Sequence, residues 1–83
     1  MNISNNNIKI IKASIIDALR LTPSTSQTNL IVNNNQFYGN VSQAVKTSNF
    51  DYCIAVGNLV NEAATSPEID FTGAVNTVVA NNL

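Results

Sequence analysis

Few side chains in this sequence could perform catalysis. The 83 residues include no histidine, the commonest general base and metal ligand near neutral pH. The single cysteine, Cys53, therefore has no histidine beside it to activate a nucleophile. Between Tyr52 and Ile54, on a predicted helix, it is interpreted as a small buried hydrophobic residue. One cysteine also excludes an intramolecular disulfide.

Two acidic residues, Glu68 and Asp70, lie close together near the C-terminus. They follow the run Thr-Ser-Pro at 65–67, a pattern typical of the first turn of a helix, where acidic side chains interact favourably with the helix dipole. Because this position explains the acids without a cation, we predict no metal site and no cofactor. The glycines are isolated and form no phosphate-binding loop: Gly39, Gly57 and Gly73.

The polar residues are mostly uncharged. The chain has fifteen asparagines but only nine charged residues, and its formal net charge is -1. Globular domains carry about 25% charged residues, and charge keeps protein surfaces apart in solution. The composition therefore favours a subunit that associates with copies of itself.

The charges are also sorted along the chain. Residues 1–50 hold all four bases and one acid, whereas residues 51–83 hold four acids and no base. This asymmetry suits antiparallel packing of the two halves or head-to-tail stacking of subunits. Four scattered bases are too few for a nucleic-acid interface.

Neither a membrane span nor a secretory signal is predicted. No run approaches the ~18 consecutive apolar residues that a transmembrane helix needs. The segment after Met1 begins with asparagines and has lysines within its apolar stretch, which is not the order of a signal peptide. We expect a single domain over 1–83 that is cytoplasmic, leaves the cell without such a signal, or is a mature or truncated form.

Apolar residues recur at helical spacing in three stretches. They predict a helix over about 6–21, a break at 22–26 around Pro23, a long helix over 36–64 and a last helix over about 67–81. The alternation Ile8-Lys9-Ile10 also permits a short strand, but the length of the first segment favours the helix. The long helix would measure about 40 Å, more than a compact monomer of this size needs. One arc of its helical wheel holds Phe37, Val41, Ala44, Val45, Ser48, Tyr52, Ala55, Val56, Leu59 and Ala63.

The sequence thus predicts an all-α fold: three helices, with a fourth as an alternative, in an elongated hairpin or bundle with a long central helix. Four residues spaced i, i+3, i+4, i+7 form an apolar patch on the back of that helix: Phe50, Cys53, Ile54 and Gly57. Either a further helix of the same chain or a neighbouring subunit covers this patch. A partial repeat at an offset of 34 residues, Phe37-x-Gly39 and Phe71-x-Gly73, has too few identities to indicate a repeat protein.

The function expected from these features is that of a non-enzymatic structural subunit that forms a homo-oligomer or a filament-like assembly. The alternative is a small helical adaptor, chaperone or immunity-type module that binds another protein. An enzyme would need another chain to complete its site. A membrane-active peptide ranks last, because a cationic amphipathic face is missing.

Overall fold

A computed structural model describes residues 1–11, 14–61 and 63–83. Within these ranges the chain forms ten β-strands and no helix, so the prediction of an all-α helical bundle is wrong. Every strand pairing is parallel, and successive strands turn from one sheet to the next. The chain is therefore wound into stacked coils, the architecture of a parallel β-solenoid.

The solenoid has three faces, each a parallel sheet. Face A has the strand order β1-β4-β7-β10, face B β2-β5-β8 and face C β3-β6-β9. In chain order the strands are β1 Asn2–Ser4, β2 Asn7–Ile10, β3 Leu19–Leu21, β4 Gln27–Asn33, β5 Gln36–Gly39, β6 Val45–Thr47, β7 Phe50–Val56, β8 Leu59–Val60, β9 Ile69–Phe71 and β10 Thr77–Ala80. Three coils each visit faces A, B and C, and the fourth consists of β10 and the residues after it.

The core lies inside the coils, where residues of neighbouring strands stack in rows. On face A, Val32 pairs with Ala55, and neither side chain is exposed to solvent. On face B, Phe37 pairs with Val60 and is likewise buried. Inward and outward residues alternate because successive side chains of a strand point to opposite sides of the sheet. Burying one such side chain contributes about 1.5–3 kcal/mol.

The corner between faces A and B has the same backbone conformation in all four coils. Asn5, Asn34, Gly57 and Asn81 have φ between 53° and 70°, and each comes directly after a strand of face A. Asparagine and glycine tolerate this left-handed region better than other residues do. The fifteen asparagines are thus partly explained by the corners they form.

A second left-handed position interrupts the strands of face A. Asn29 has φ 64° in β4, and its neighbour in β7, Tyr52, has φ 54°. The kink resets the alternation, so that Phe50 and Cys53, three residues apart, are both buried. A strand with this interruption imitates the i, i+3 spacing of a helix.

The predicted helices coincide with strands and corners. The range 6–21 contains β2 and β3, the range 36–64 contains β5 to β8, and the range 67–81 contains β9 and β10. Lys12, Ala13 and Glu62 lie outside the described residues. The long central helix does not exist, and its length therefore no longer argues for association.

One ion pair joins the basic and the acidic parts of the sequence. The Nζ of Lys46 in β6 lies 2.7 Å from Oδ2 of Asp70 in β9, on the outer side of face C. The hydrogen bond from Lys46 is the main reason that the pKa of Asp70 is below its ordinary value. Asp70 is therefore used within the fold, whereas Glu68 has an exposed side chain.

Candidate assembly surface

The structure separates the four residues of the predicted apolar patch. Phe50 and Cys53 point into the core, with 7% and 1% of their surface exposed. Ile54 points outward from face A. Gly57 occupies the A/B corner with φ 70°, where a Cβ would lie 2.5 Å from Oδ1 of Asn34. The four residues therefore share no single surface.

The interpretation of Cys53 as a buried hydrophobic residue agrees with its position. Burial raises the pKa of its thiol, and the negative charge of Asp51 raises it further. A thiol with a raised pKa is a poor nucleophile at neutral pH.

The most regular polar feature is a row of asparagines beside the A/B corner, at the first position after each left-handed residue. The asparagine row consists of Asn6, Asn35, Asn58 and Asn82, at intervals of 29, 23 and 24 residues. Asn35 and Asn58 are 2% and 1% exposed, so their amides must find partners within the protein.

Hydrogen bonds within the row run in one direction. Oδ1 of Asn58 accepts from the backbone N and the Nδ2 of Asn35, at 3.0 and 3.1 Å. Oδ1 of Asn82 accepts from the same two groups of Asn58, at 2.9 and 2.8 Å. Each amide oxygen in a later coil thus binds two donors of the coil before it.

The Nδ2 groups also bind the backbone of the preceding coil. Asn35 donates to the carbonyl of Ile3, and Asn58 donates to the carbonyl of Val32, both at 2.8 Å. Asn82 donates to the carbonyl of Ala55 at 3.1 Å. The three acceptors are register partners on face A, so the same hydrogen bond joins each coil to the preceding one.

Within the described residues, Asn82 is the last member of the asparagine row and β10 is the last strand of face A. Val79 continues the register of Val32 and Ala55, but its carbonyl accepts no side-chain hydrogen bond from the described residues. In the earlier members of the row, the backbone N and the Nδ2 donate to the asparagine of the following coil. Asn82 has the same two groups in the equivalent positions. This end therefore offers donors from Asn82 and an acceptor from Val79.

The N-terminal end offers the complementary groups. Asn6 donates to Oδ1 of Asn35 and, through Nδ2, to the carbonyl of Ser4. Its own Oδ1 accepts nothing from the described part of the chain. Asn6 therefore carries an acceptor that matches the donors of Asn82.

The two edge strands of face A lack the usual protection against pairing. Natural sheets guard their edges with charged residues, prolines or bulges, yet β1 and β10 contain neither a charge nor a proline. The side chain of Val79 is 50% exposed and borders a cavity of about 280 Å³, which is also lined by Ser66, Pro67, Glu68, Ile69 and Asn82.

Asp51 binds the two residues that precede β10. Its Oδ1 accepts from the backbone N of Val75 and Asn76, at 3.0 and 2.9 Å, and its Oδ2 accepts from Nδ2 of Asn76. The hydrogen bond from the backbone N of Asn76 is the main reason that the pKa of Asp51 is lowered to about 2, and the backbone N of Tyr52 is the next largest cause. The ionised carboxylate thus attaches the last coil to the third.

A signal for this surface is present in the sequence. Asn or Gly followed by Asn precedes each strand of face B, at Asn5-Asn6, Asn34-Asn35 and Gly57-Asn58, and recurs at Asn81-Asn82. The repeat is hidden when the asparagines are interpreted only as a feature of the composition. Their spacing of one coil is the feature that could have identified the solenoid.

Three observations concern other functional classes. Among the described residues, no three His, Cys, Asp or Glu side chains come together as metal ligands would. The same ranges contain no helix with the length and hydropathy to cross a membrane. Comparisons with protein-family models, with curated proteins and with solved structures found no match to this chain.

Proposed function

We propose that this protein is a non-enzymatic structural subunit that associates end to end, with β10 of one copy beside β1 of the next. The observation that supports this most directly is the asparagine row, whose bonds repeat between successive coils and whose first and last described members, Asn6 and Asn82, carry complementary groups. The low charge of the chain favours the same function, because copies repel one another weakly.

The proposed junction continues the register of face A. In that register Val79 of one copy lies beside Ile3 of the second copy, as Ala55 lies beside Val32 within the chain. Nδ2 of Asn6 in the second copy then donates to the carbonyl of Val79, and its Oδ1 accepts from Asn82. The fourth coil contains face A and the A/B corner, so the contact forms there.

Two variants of β10 test this junction. Val79 and Val78 are 50% and 51% exposed, but Val79 points toward the core side and Val78 points outward. Val79→Lys places a charge where a second copy would bury it, which costs several kcal/mol. Val78→Lys changes the net charge equally and leaves the edge free to pair.

We expect the wild-type protein and Val78→Lys to form assemblies in sedimentation velocity at micromolar concentration, and Val79→Lys to be monomeric. Moderate salt should not dissolve the assemblies, because apolar burial and hydrogen bonding dominate the junction. A wild-type monomer at tens of micromolar, or equal assembly by the two variants, would contradict the proposal. Circular dichroism checks that both variants remain folded.

A further inference from the structure

The outer side of face A carries a groove between two rows of outward side chains. One wall is the row Asn29, Tyr52 and Asn76, and the other is the row Ile31, Ile54 and Val78. Neighbouring members of a row lie on adjacent strands, about 4.8 Å apart. The groove has a volume of about 490 Å³, within the range of small-molecule sites.

Tyr52 is unusual in this groove. A bulky residue at φ 54° is a genuine outlier, and the equivalent position one coil earlier is filled by asparagine, which adopts this conformation more readily. Packing does not compensate for the strain, because Tyr52 is 57% exposed. Strained backbone positions of this kind cluster at functional sites.

Hydrogen-bonding groups flank the ring. The side-chain amide of Asn29 and the hydroxyl of Tyr52 bind none of the described residues. Asn76 donates from Nδ2 to Asp51, which leaves its Oδ1 as an acceptor. A ligand beside Tyr52 therefore meets both donors and acceptors, and the opposite wall is apolar.

We propose that this groove binds a neutral carbohydrate, with one pyranose ring stacked on Tyr52 and its hydroxyl groups bonded to Asn29 and Asn76. The negative face of an aromatic ring attracts the polarised C–H bonds of a sugar. The side chains that line the groove are all uncharged, which favours a neutral ligand over an anionic or a cationic one. An extended peptide is disfavoured, because backbone groups on the face of a sheet are already paired within it.

The first test measures binding. Isothermal titration calorimetry with neutral hexasaccharides of glucose, N-acetylglucosamine and xylose should detect binding of at least one at a Kd of about 1 mM or tighter. Tyr52→Asn should weaken that binding at least about tenfold, as expected for the loss of a stacked aromatic anchor. Tyr38→Asn, which removes the other tyrosine from face B, should leave it unchanged.

The second test separates a ligand contact from a structural role. Because Tyr52→Asn relieves the strained conformation, we expect it to raise the Tm by about 4–8 °C while it abolishes binding. A fall in Tm would instead assign the ring to the fold. Failure of all three hexasaccharides at about 10 mM, or equal binding by wild type and Tyr52→Asn, would overturn the proposal. Because Asn76 and Val78 lie beside or on β10, the strand at the proposed junction, the titration is repeated with Val79→Lys, which separates sugar binding from end-to-end association.

Discussion

Oδ1 of Asn58 lies 3.0 Å from the backbone N of Asn35, 23 residues earlier in the chain, and both side chains are almost completely buried. The contact joins the second coil to the third, and the equivalent contact between Asn58 and Asn82 joins the third to the fourth. The asparagine row inside the solenoid thus fixes the position of each coil relative to the preceding one. Buried polar groups specify such an arrangement when all of them find partners.

We expect Asn58→Ala to lower the free energy of unfolding by about 2–4 kcal/mol. The substitution removes the bond to the carbonyl of Val32 and leaves two donors of Asn35 without their acceptor. Urea unfolding measures the change, and Asn7→Ala, at an exposed position one residue after the row, serves as the control. Equal effects of the two substitutions would mean that an asparagine of the row contributes no more to the free energy of unfolding than an exposed asparagine does.

Thr47→Val should raise the free energy of unfolding by about 1 kcal/mol. The hydroxyl of Thr47 is buried in face C and has no hydrogen-bond partner in the described structure. Replacing it with a methyl group of similar size therefore removes the free-energy cost of burying an unpaired polar group. Thr47→Ser keeps the hydroxyl and loses a methyl group, and it should destabilise the protein. Thermal unfolding of the three proteins distinguishes these expectations, and a less stable valine variant would show that the hydroxyl has a partner.

Phe50→Asp and Ile54→Asp should behave differently, although a helical arrangement would place both residues on one patch. Phe50 is 7% exposed and points inward, so a carboxylate there should unfold the chain. Ile54 is 37% exposed and points outward, so its replacement should preserve the circular dichroism spectrum and lower the Tm only slightly. Similar spectra for both variants would contradict the inward direction of Phe50.

The stability of the protein should depend on pH through Asp51. Its pKa is lowered to about 2 in the folded protein from an ordinary 3.8, so its contribution is present above pH 4 and is lost as the pH falls toward 2. We expect the Tm of the wild-type protein to drop across this interval and that of Asp51→Asn to drop less. Some slope should remain in the variant, because the pKa of Asp70 is lowered as well. Identical pH profiles would show that Asp51 carries no such linkage.

The helical interpretation failed for a physical reason that Tyr52 illustrates. A strand is recognised by alternation of buried and exposed residues, and the left-handed conformation at Tyr52 breaks this alternation within β7. Phe50 and Cys53 are then both inward, at the spacing expected of a helix. Nothing in the identity of a tyrosine predicts φ 54°, so this break could not be read from the sequence.

The asparagine row, by contrast, could have been predicted. Two sequence pairs, Asn34-Asn35 and Gly57-Asn58, each combine a residue that tolerates positive φ with an asparagine. The side-chain amide of that asparagine can form a hydrogen bond with the equivalent asparagine of the next coil. Recognition of that pair at intervals of one coil needs no knowledge of strand boundaries. The direction of the hydrogen bonds and the open groups at Val79 required the structure.

The one-way order of the bonds in the asparagine row gives any assembly of these subunits a polarity. One terminus of such a filament would display the amide donors of Asn82, and the other the acceptor of Asn6. Growth rates at the two termini should therefore differ, as they do not in a symmetric stack. A peptide that copies the first coil would block elongation at one terminus only, and light microscopy of two-colour seeded filaments would show which terminus it is.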